Sequence, residues 1–349
     1  MWTAALPCSA IRAWPRASLR PRSRERSSGD ASMKALVYVG DAKVRQLEVA
    51  APNPGSGEVM VRVLQAGVCG TDMCVVRDER PKAEAPMTLG HEFVGLREDT
   101  GERVIVNPLL ACGRCRACNE GRAHLCERRQ VIGVHRSGGF AEAVAVPEGN
   151  LVPAGHATIA QAAMADPIAT ALHAYRLAAQ AIGGGPVAIL GAGSIGLSLL
   201  FVLKRFGVRD ITVTDLSAER RAFADAGGAD RTAVAIEGSF DVIFDSVGAV
   251  ATRRDAALKI RAGGVAVLVG LHSADLAFPA GPLIGGERTV KGSFGYTPDE
   301  FREAVSMLPD LDTRWVHTVP FAEAEQMFTR LLEGRLPSGQ VKLQMRMSA

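Results

Sequence analysis

With 349 residues, 47% of them hydrophobic and 22% charged, the chain is long enough for two ordinary globular domains, and its composition excludes a disordered or low-complexity polypeptide. The net charge of +3 sits at one end: residues 1–32 carry six arginines against Glu25 and Asp30, a net +4, which leaves −1 for residues 33–349. That near-neutral remainder lacks the basic excess of a nucleic-acid binder. No stretch reads as a membrane span, because the apolar run 186–203 contains a glycine-rich turn and reads as a buried strand, turn and helix.

In chain order, residues 1–32 are rich in Arg, Pro and Ser without periodicity and are expected to be a disordered or non-native extension ahead of Met33. A mitochondrial transit peptide is the sharper reading of that segment, but Pro7, Pro15 and Pro21 break any long amphipathic helix. A strand begins at Met33–Tyr38. Residues 33–155 continue as short strands and turns, with strands expected at Glu58–Leu64, Glu102–Asn107 and within Gly138–Pro147. From 186 the pattern switches to alternating strands and helices: strand Pro186–Leu190, helix Ser194–Phe206, strand Ile211–Asp215, helix Ala218–Ala226, then strands Phe240–Asp245 and Gly264–Gly270. Such alternation predicts a parallel sheet covered by helices on both faces. Two amphipathic helices near Asp299–Leu308 and Ala322–Glu333 and a strand at Gln340–Met345 complete the chain.

Cys112, Cys115, Cys118 and Cys126 are spaced C-x2-C-x2-C-x7-C. Four thiolates in one short loop suit a tetrahedral structural zinc, closed to substrate. The spacing differs from the paired C-x2-C knuckles of zinc-ribbon nucleic-acid binders. Clustered cysteines in a chain of this length read as metal binding in a reducing compartment, which points to the cytoplasm. Upstream, Cys69 and His91 are candidate ligands of a second metal. Each alone would more often be a buried structural residue.

Gly191-Ala-Gly-Ser-Ile-Gly196 follows a strand and opens a helix, and Asp215 ends the next strand 19 residues after Gly196. In that context the motif is a dinucleotide site. Gly191 permits a tight turn, Gly193 lets backbone approach a pyrophosphate, and Gly196 allows close helix–strand packing. Ser194 and Ile195 lie at the helix N-terminus, which favours phosphate charge. Asp215 is placed for a ribose 2′-hydroxyl and repels a 2′-phosphate, favouring NAD over NADP. Arg220 and Arg221 are near enough to favour the phosphate, or else belong to a solvated helix face. A metal beside a dinucleotide points to hydride transfer at an alcohol carbon.

Gly67–Asp72, Gly90–Gly95, Cys112–Cys126, Gly139-Phe-Ala-Glu142, Asp166-Pro-Ile168 with Ala171-Leu-His173, and Gly191–Gly196 occur in an order that resembles the zinc-dependent medium-chain alcohol dehydrogenase family, in its sorbitol-dehydrogenase-like branch. The resemblance spans Met33 to Ala349. It implies an α/β fold class: a GroES-like, β-rich catalytic domain at 33–167, a Rossmann doubly wound parallel-sheet domain at 168–295, and a return to the catalytic domain at 296–349. It further implies that Cys69, His91 and Asp166 hold a catalytic zinc, that Glu92 stands beside it and that Thr71 begins a proton relay. Cys112, Cys115, Cys118 and Cys126 would hold a structural zinc.

Three features depart from that pattern. Cys74 stands where many polyol-oxidising relatives carry a histidine as the outer relay base. Asp166 is one methylene shorter than the usual glutamate, and the segment between Gly95 and Glu102 is short. The expected activity is an NAD-linked oxidation of a small-molecule alcohol, in particular a polyol, sugar acid or other secondary alcohol. Arg136, Phe140, Phe294 and Tyr296 are candidate pocket residues, although single aromatics more often serve the core. The resemblance also implies a homodimer or homotetramer joined through the cofactor domains. Two rivals stand against this reading. A catalytically inactive zinc- and nucleotide-binding member of the fold is suggested by Asp166 and Cys74. A zinc-independent reductase would not need Cys69, His91 and the four-cysteine loop.

Overall fold

The computed structural model describes residues 32–77, 83–272, 280–335 and 340–347. The arginine-rich segment 1–31, read above as an extension or a transit peptide, lies outside the described residues.

The first half is built around one long strand, Glu58–Gly67. It pairs antiparallel with Glu92–Arg97 along one edge, with Ala143–Pro147 over residues 58–62, and with Lys342–Arg346 over residues 65–67. Arg103–Val106 and Leu151–Pro153 extend the sheet beyond Glu92–Arg97, and Val316–Pro320 extends it beyond Lys342–Arg346. A smaller sheet of Lys43–Ala50, Ser32–Gly40 and Met87–Thr88 packs beside it. Alternation of buried Val61 and Val63 with exposed Arg62 is the two-residue period of a half-buried strand. A register shift between Val63 and Gln65 then lets Gln65, Ala66, Gly67 and Val68 all be buried.

The second half contains an all-parallel sheet in the order Arg231–Ala233, Ile211–Thr214, Val187–Leu190, Phe240–Asp245, Ile260–Leu268, Thr289–Gly292. This is the doubly wound dinucleotide-binding order, in which ligands lie beyond the carboxyl ends of the central strands. Val187–Leu190 is apolar and buried at every position, as a strand covered on both faces must be. Burying each such Val, Ile or Leu contributes roughly 1.5–3 kcal/mol. Ser217 caps helix Ala218–Ala226 by accepting from the Arg220 amide at 3.3 Å. The fold class read from the sequence is therefore the one observed, with element ends displaced by a few residues.

Two helices lie where the halves meet. Ala165–Ala178 follows the last strands of the first half, and Pro298–Met307 packs along it within the core of the parallel-sheet half. The chain then crosses back through Val316–Pro320 and Lys342–Arg346 to complete the first sheet. Among the described residues no helix is long and apolar enough to cross a membrane.

Candidate metal and dinucleotide sites

Strand Glu58–Gly67 delivers the chain to Cys69, the N-cap of the short helix Gly70–Val76. The facing strand begins at Glu92, opposite Gly67, and places His91 just before it. As a result, ligand atoms of Cys69, His91 and Glu92 all lie within 4.8 Å of one another. His91 and Glu92 are buried and Cys69 is half-buried. A thiol, an imidazole and a carboxylate converging below the surface are a borderline-soft donor set suited to zinc.

Asp72, which is fully buried, organises this set. One carboxylate oxygen accepts from the Cys69 amide at 2.9 Å, and the other lies 3.3 Å from His91 Nδ1. A carboxylate beside one ring nitrogen is the outer-shell arrangement common to metal-binding histidines. Burial alone would depress the imidazole, but Asp72 and then Cys69 carry its pKa well above the ordinary value. Sequence reading passed over Asp72, although its position three residues after an N-cap was a local signal.

Glu92 is paired with Lys342, and both side chains are almost completely buried. Gly67 makes room for the pair: a Cβ there would collide with Glu92 Oε2 and lie 3.1 Å from Lys342 Cε. Burial opposes the charge on Lys342, yet Glu92 and Cys69 raise its pKa.

Asp166, expected as the third ligand, is not in the close set of Cys69, His91 and Glu92. It sits in the first turn of Ala165–Ala178 and accepts a 2.5 Å hydrogen bond from the hydroxyl of buried Tyr296. Burial pushes its carboxyl up to about 6, with His91 pulling it back and Glu92 adding to the rise. Thr71, half-buried, lies on Gly70–Val76 two residues after Cys69, and Cys74 lies one turn further along the same helix. Of the candidate pocket residues, Tyr296 alone is joined to this site. Phe140 is core and packs edge-on to Phe328, Arg136 pairs with Glu58, and Phe294 lies under Arg129.

The sulfurs of Cys112, Cys115, Cys118 and Cys126 also lie within 4.8 Å of one another. The loop acts unequally on the thiols: backbone hydrogen bonds lower Cys112 and Cys115, whereas burial, with Cys115 and Cys126 beside it, pushes Cys118 up to about 11. The Cys112 amide donates to Cys126 Sγ at 3.3 Å, and a hydrogen bond from the Arg114 backbone is the largest influence holding the Cys112 thiol down to about 6. Backbone bonds from Cys118 and Glu127 lower Cys115 as well. Both cysteine-containing clusters therefore fit a metal, one of four thiolates and one of mixed donors.

At the parallel sheet, Gly191 adopts φ +94°, and a Cβ at Gly196 would run into the Gly191 carbonyl. Gly193 is different: a Cβ there would meet nothing within 4 Å, so its backbone faces open space at the start of helix Ser194–Arg205. Among the described residues the buried Ser194 hydroxyl has no hydrogen-bond partner. Ile195 is half-buried and packs toward the core. Asp215 follows strand Ile211–Thr214, accepting from the Ala192 and Ser217 amides at 2.9 Å each. The two arginines separate: Arg221 is tied to the Asp215 and Leu216 carbonyls, whereas Arg220 Nη1 lies 3.9 Å from Asp215 Oδ2.

A doubly wound sheet with a glycine-rich turn, in one chain with a buried cysteine–histidine–carboxylate cluster, is the arrangement of a metal-dependent dehydrogenase. Comparison with known proteins makes the class specific. The alcohol dehydrogenase GroES-like domain matches residues 55–156 and the zinc-binding dehydrogenase domain matches residues 194–310. An L-galactonate-5-dehydrogenase of Escherichia coli K12 is 33% identical over 305 residues, covering 80% of this chain and 89% of that protein. An L-threonine 3-dehydrogenase of Streptomyces avermitilis is 33% identical over 306 residues, covering 79% and 88%. An alcohol dehydrogenase of Escherichia coli CFT073, solved with NADH, superposes with a TM-score of 0.84 at 25% identity, covering 90% of this chain and 99% of that one. The chain belongs to the zinc-dependent medium-chain dehydrogenase family. It is a zinc-dependent oxidoreductase acting at an alcohol carbon, as the sequence motifs led one to expect.

Proposed function

We propose that the chain oxidises a secondary hydroxyl of a sugar acid or polyol with NAD, using one catalytic and one structural zinc. The convergence of Cys69, His91 and Glu92, with Asp72 behind the histidine, carries this reading. Cys69 and His91 would hold the catalytic metal with a carboxylate from Glu92 or Asp166, and Cys112, Cys115, Cys118 and Cys126 would hold the structural one. When bound, the catalytic zinc supplies Lewis acidity at the substrate hydroxyl oxygen, and NAD supplies the hydride acceptor.

The chain's own residues do the rest. Asp72 stands behind the His91 ring, and Lys342 balances the buried charge of Glu92. The Thr71 hydroxyl accepts the substrate proton and hands it toward solvent, Cys74 offering no basic terminus to the relay. Gly191, Gly193, Ser194, Ile195 and Gly196 seat the pyrophosphate, and Asp215 binds the ribose hydroxyls and disfavours a 2′-phosphate. Arg220 stands beside Asp215 and flanks the adenosine end.

The names of two relatives support a small hydroxy compound as substrate: one is named for L-galactonate and the other for L-threonine. Six free cysteines among the described residues favour a reducing, cytoplasmic setting. The exposed edge strand Thr289–Gly292 favours pairing with a second copy in a homodimer or homotetramer.

Zinc per chain, with NAD reduction on a panel of aldonates, polyols and L-threonine, tests the proposal. Two zincs and turnover on an aldonate or polyol support it. One zinc and no turnover on the panel would overturn it.

A further inference from the structure

Helix Ala165–Ala178 carries Asp166 in its first turn and His173 seven residues later, on the same face. The neighbouring helix Pro298–Met307 answers both. Tyr296, two residues before that helix, donates to Asp166, and Glu300, in its first turn, lies 3.0 and 3.1 Å from His173 Nδ1. These are two side-chain rungs between the helices, one at Asp166 and one two turns away. The rungs share an anchor. Glu300 accepts from the Thr297 amide at 2.7 Å while Thr297 caps the helix, so a single carboxylate fixes both the helix start and the His173 contact.

The four-cysteine loop leans on this anchor. His124, between Cys118 and Cys126, meets His173 edge-on with ring centroids 4.7 Å apart. Arg129 donates to the His124 carbonyl at 2.6 Å and covers the Phe294 ring at 4.2 Å. Gly295, at φ +58°, backs onto Leu109 and His124. Consecutive residues 294, 295 and 296 thus face Arg129, His124 and Asp166 in turn.

We propose that His173 and Glu300 are positioning residues for the catalytic centre: with His124 they seat Tyr296 on Asp166, so that the four-cysteine loop sets where the Asp166 carboxylate stands. Neither His173 nor Glu300 is in the close donor set of the metal centre. An apolar pair would hold the helices together as well as a buried ion pair does, because desolvation offsets much of the Coulombic gain. A directional hydrogen bond, in contrast, selects one sliding register between the helices. That register is what an ångström-scale metal site needs. The proposal rests on Asp166 standing beside the catalytic metal.

The test uses the full-length enzyme with cobalt in place of the metal at Cys69 and His91, read by visible absorption and by kcat and KM. Outer-shell changes of this kind cost about 10–100-fold, so H173A is expected to lower kcat by about tenfold, shift the cobalt band and leave KM for the dinucleotide unchanged. H173Q keeps a donor for Glu300 and should restore most of the loss. Y296F should shift the band in the same way, and H173A combined with Y296F should lose no more than Y296F alone. A parent-like band and kcat in H173A, or losses that add in the double variant, would overturn the proposal. If H173A does not fold, E300Q replaces it in the same cycle, since its amide still caps the helix. D166N separates the two ideas. Parent-like behaviour there removes Asp166 from the metal centre, whereas an altered D166N beside a parent-like H173A removes only the positioning role.

Discussion

Lys342 and Glu92 form a buried ion pair although 250 positions of sequence separate them, and the pair abuts His91. Each side chain is about 3% exposed or less, so neither charge has water to fall back on. Replacing Lys342 with Met strands the Glu92 carboxylate and is expected to cost about 3–5 kcal/mol of stability. Replacing Glu92 with Gln in the same chain should recover much of that loss. Urea unfolding of the two variants checks it, and a Lys342→Met protein as stable as the parent would dismiss the pair as a structural element.

Zinc content separates the two metal sites. Cys69→Ala or His91→Ala should leave one zinc of two, abolish turnover and preserve NAD binding, as read by metal analysis and cofactor titration. Asp72→Asn should keep both zincs at saturation but weaken the catalytic one by about 10–100-fold, because Asp72 orients His91 and the Cys69 amide. Full activity in Cys69→Ala would remove that residue from the site.

Cofactor choice should turn on Asp215. Its carboxylate is held by the Ala192 and Ser217 amides at the end of strand Ile211–Thr214, with Arg220 already 3.9 Å away. Asp215→Ser is expected to raise KM for NAD and lower KM for NADP, the arginine then facing a 2′-phosphate. Kinetics with both cofactors measure this, and an unchanged ratio would exclude Asp215 from ribose recognition.

Stability should fall in acid through Glu300. Burial raises its pKa, but the hydrogen bonds from His173 and the Thr297 amide outweigh this and bring it from 4.5 to about 2. A carboxyl depressed on folding stabilises the fold above its unfolded pKa, and the contribution disappears as pH drops from about 4.5 toward 2. Urea midpoints across that range should slope less in Glu300→Gln than in the parent. Identical slopes would show that the carboxylate is not linked to folding.

Local patterns were legible in the sequence. Helix Ala218–Ala226 and strand Phe240–Asp245 match their expected bounds, because a capping serine and the short apolar run Val242–Phe244 are local signals. Strand Glu58–Gly67 runs past the expected end at Leu64, because its last residues pair with Lys342–Arg346, a contact that no local pattern encodes. The same limit applies at the site. Cys69, His91 and the four cysteines announce themselves by type and spacing. Lys342, Tyr296 and His173 matter through partners 127 to 250 residues away, and each looks ordinary in its own neighbourhood.

The position of strand Lys342–Arg346, between Glu58–Gly67 and Val316–Pro320, dictates an order of events at the ribosome. Every residue of the nucleotide-binding half is synthesised before this strand emerges. Until it does, the earlier strands present an unfilled slot, and Glu92 waits without its lysine. Closure of that sheet is a late, long-range step of the kind that slows folding. A nascent chain stalled before residue 342 would thus carry a finished parallel sheet beside an unfinished first sheet, which makes the interval before this strand emerges a period of exposure to aggregation.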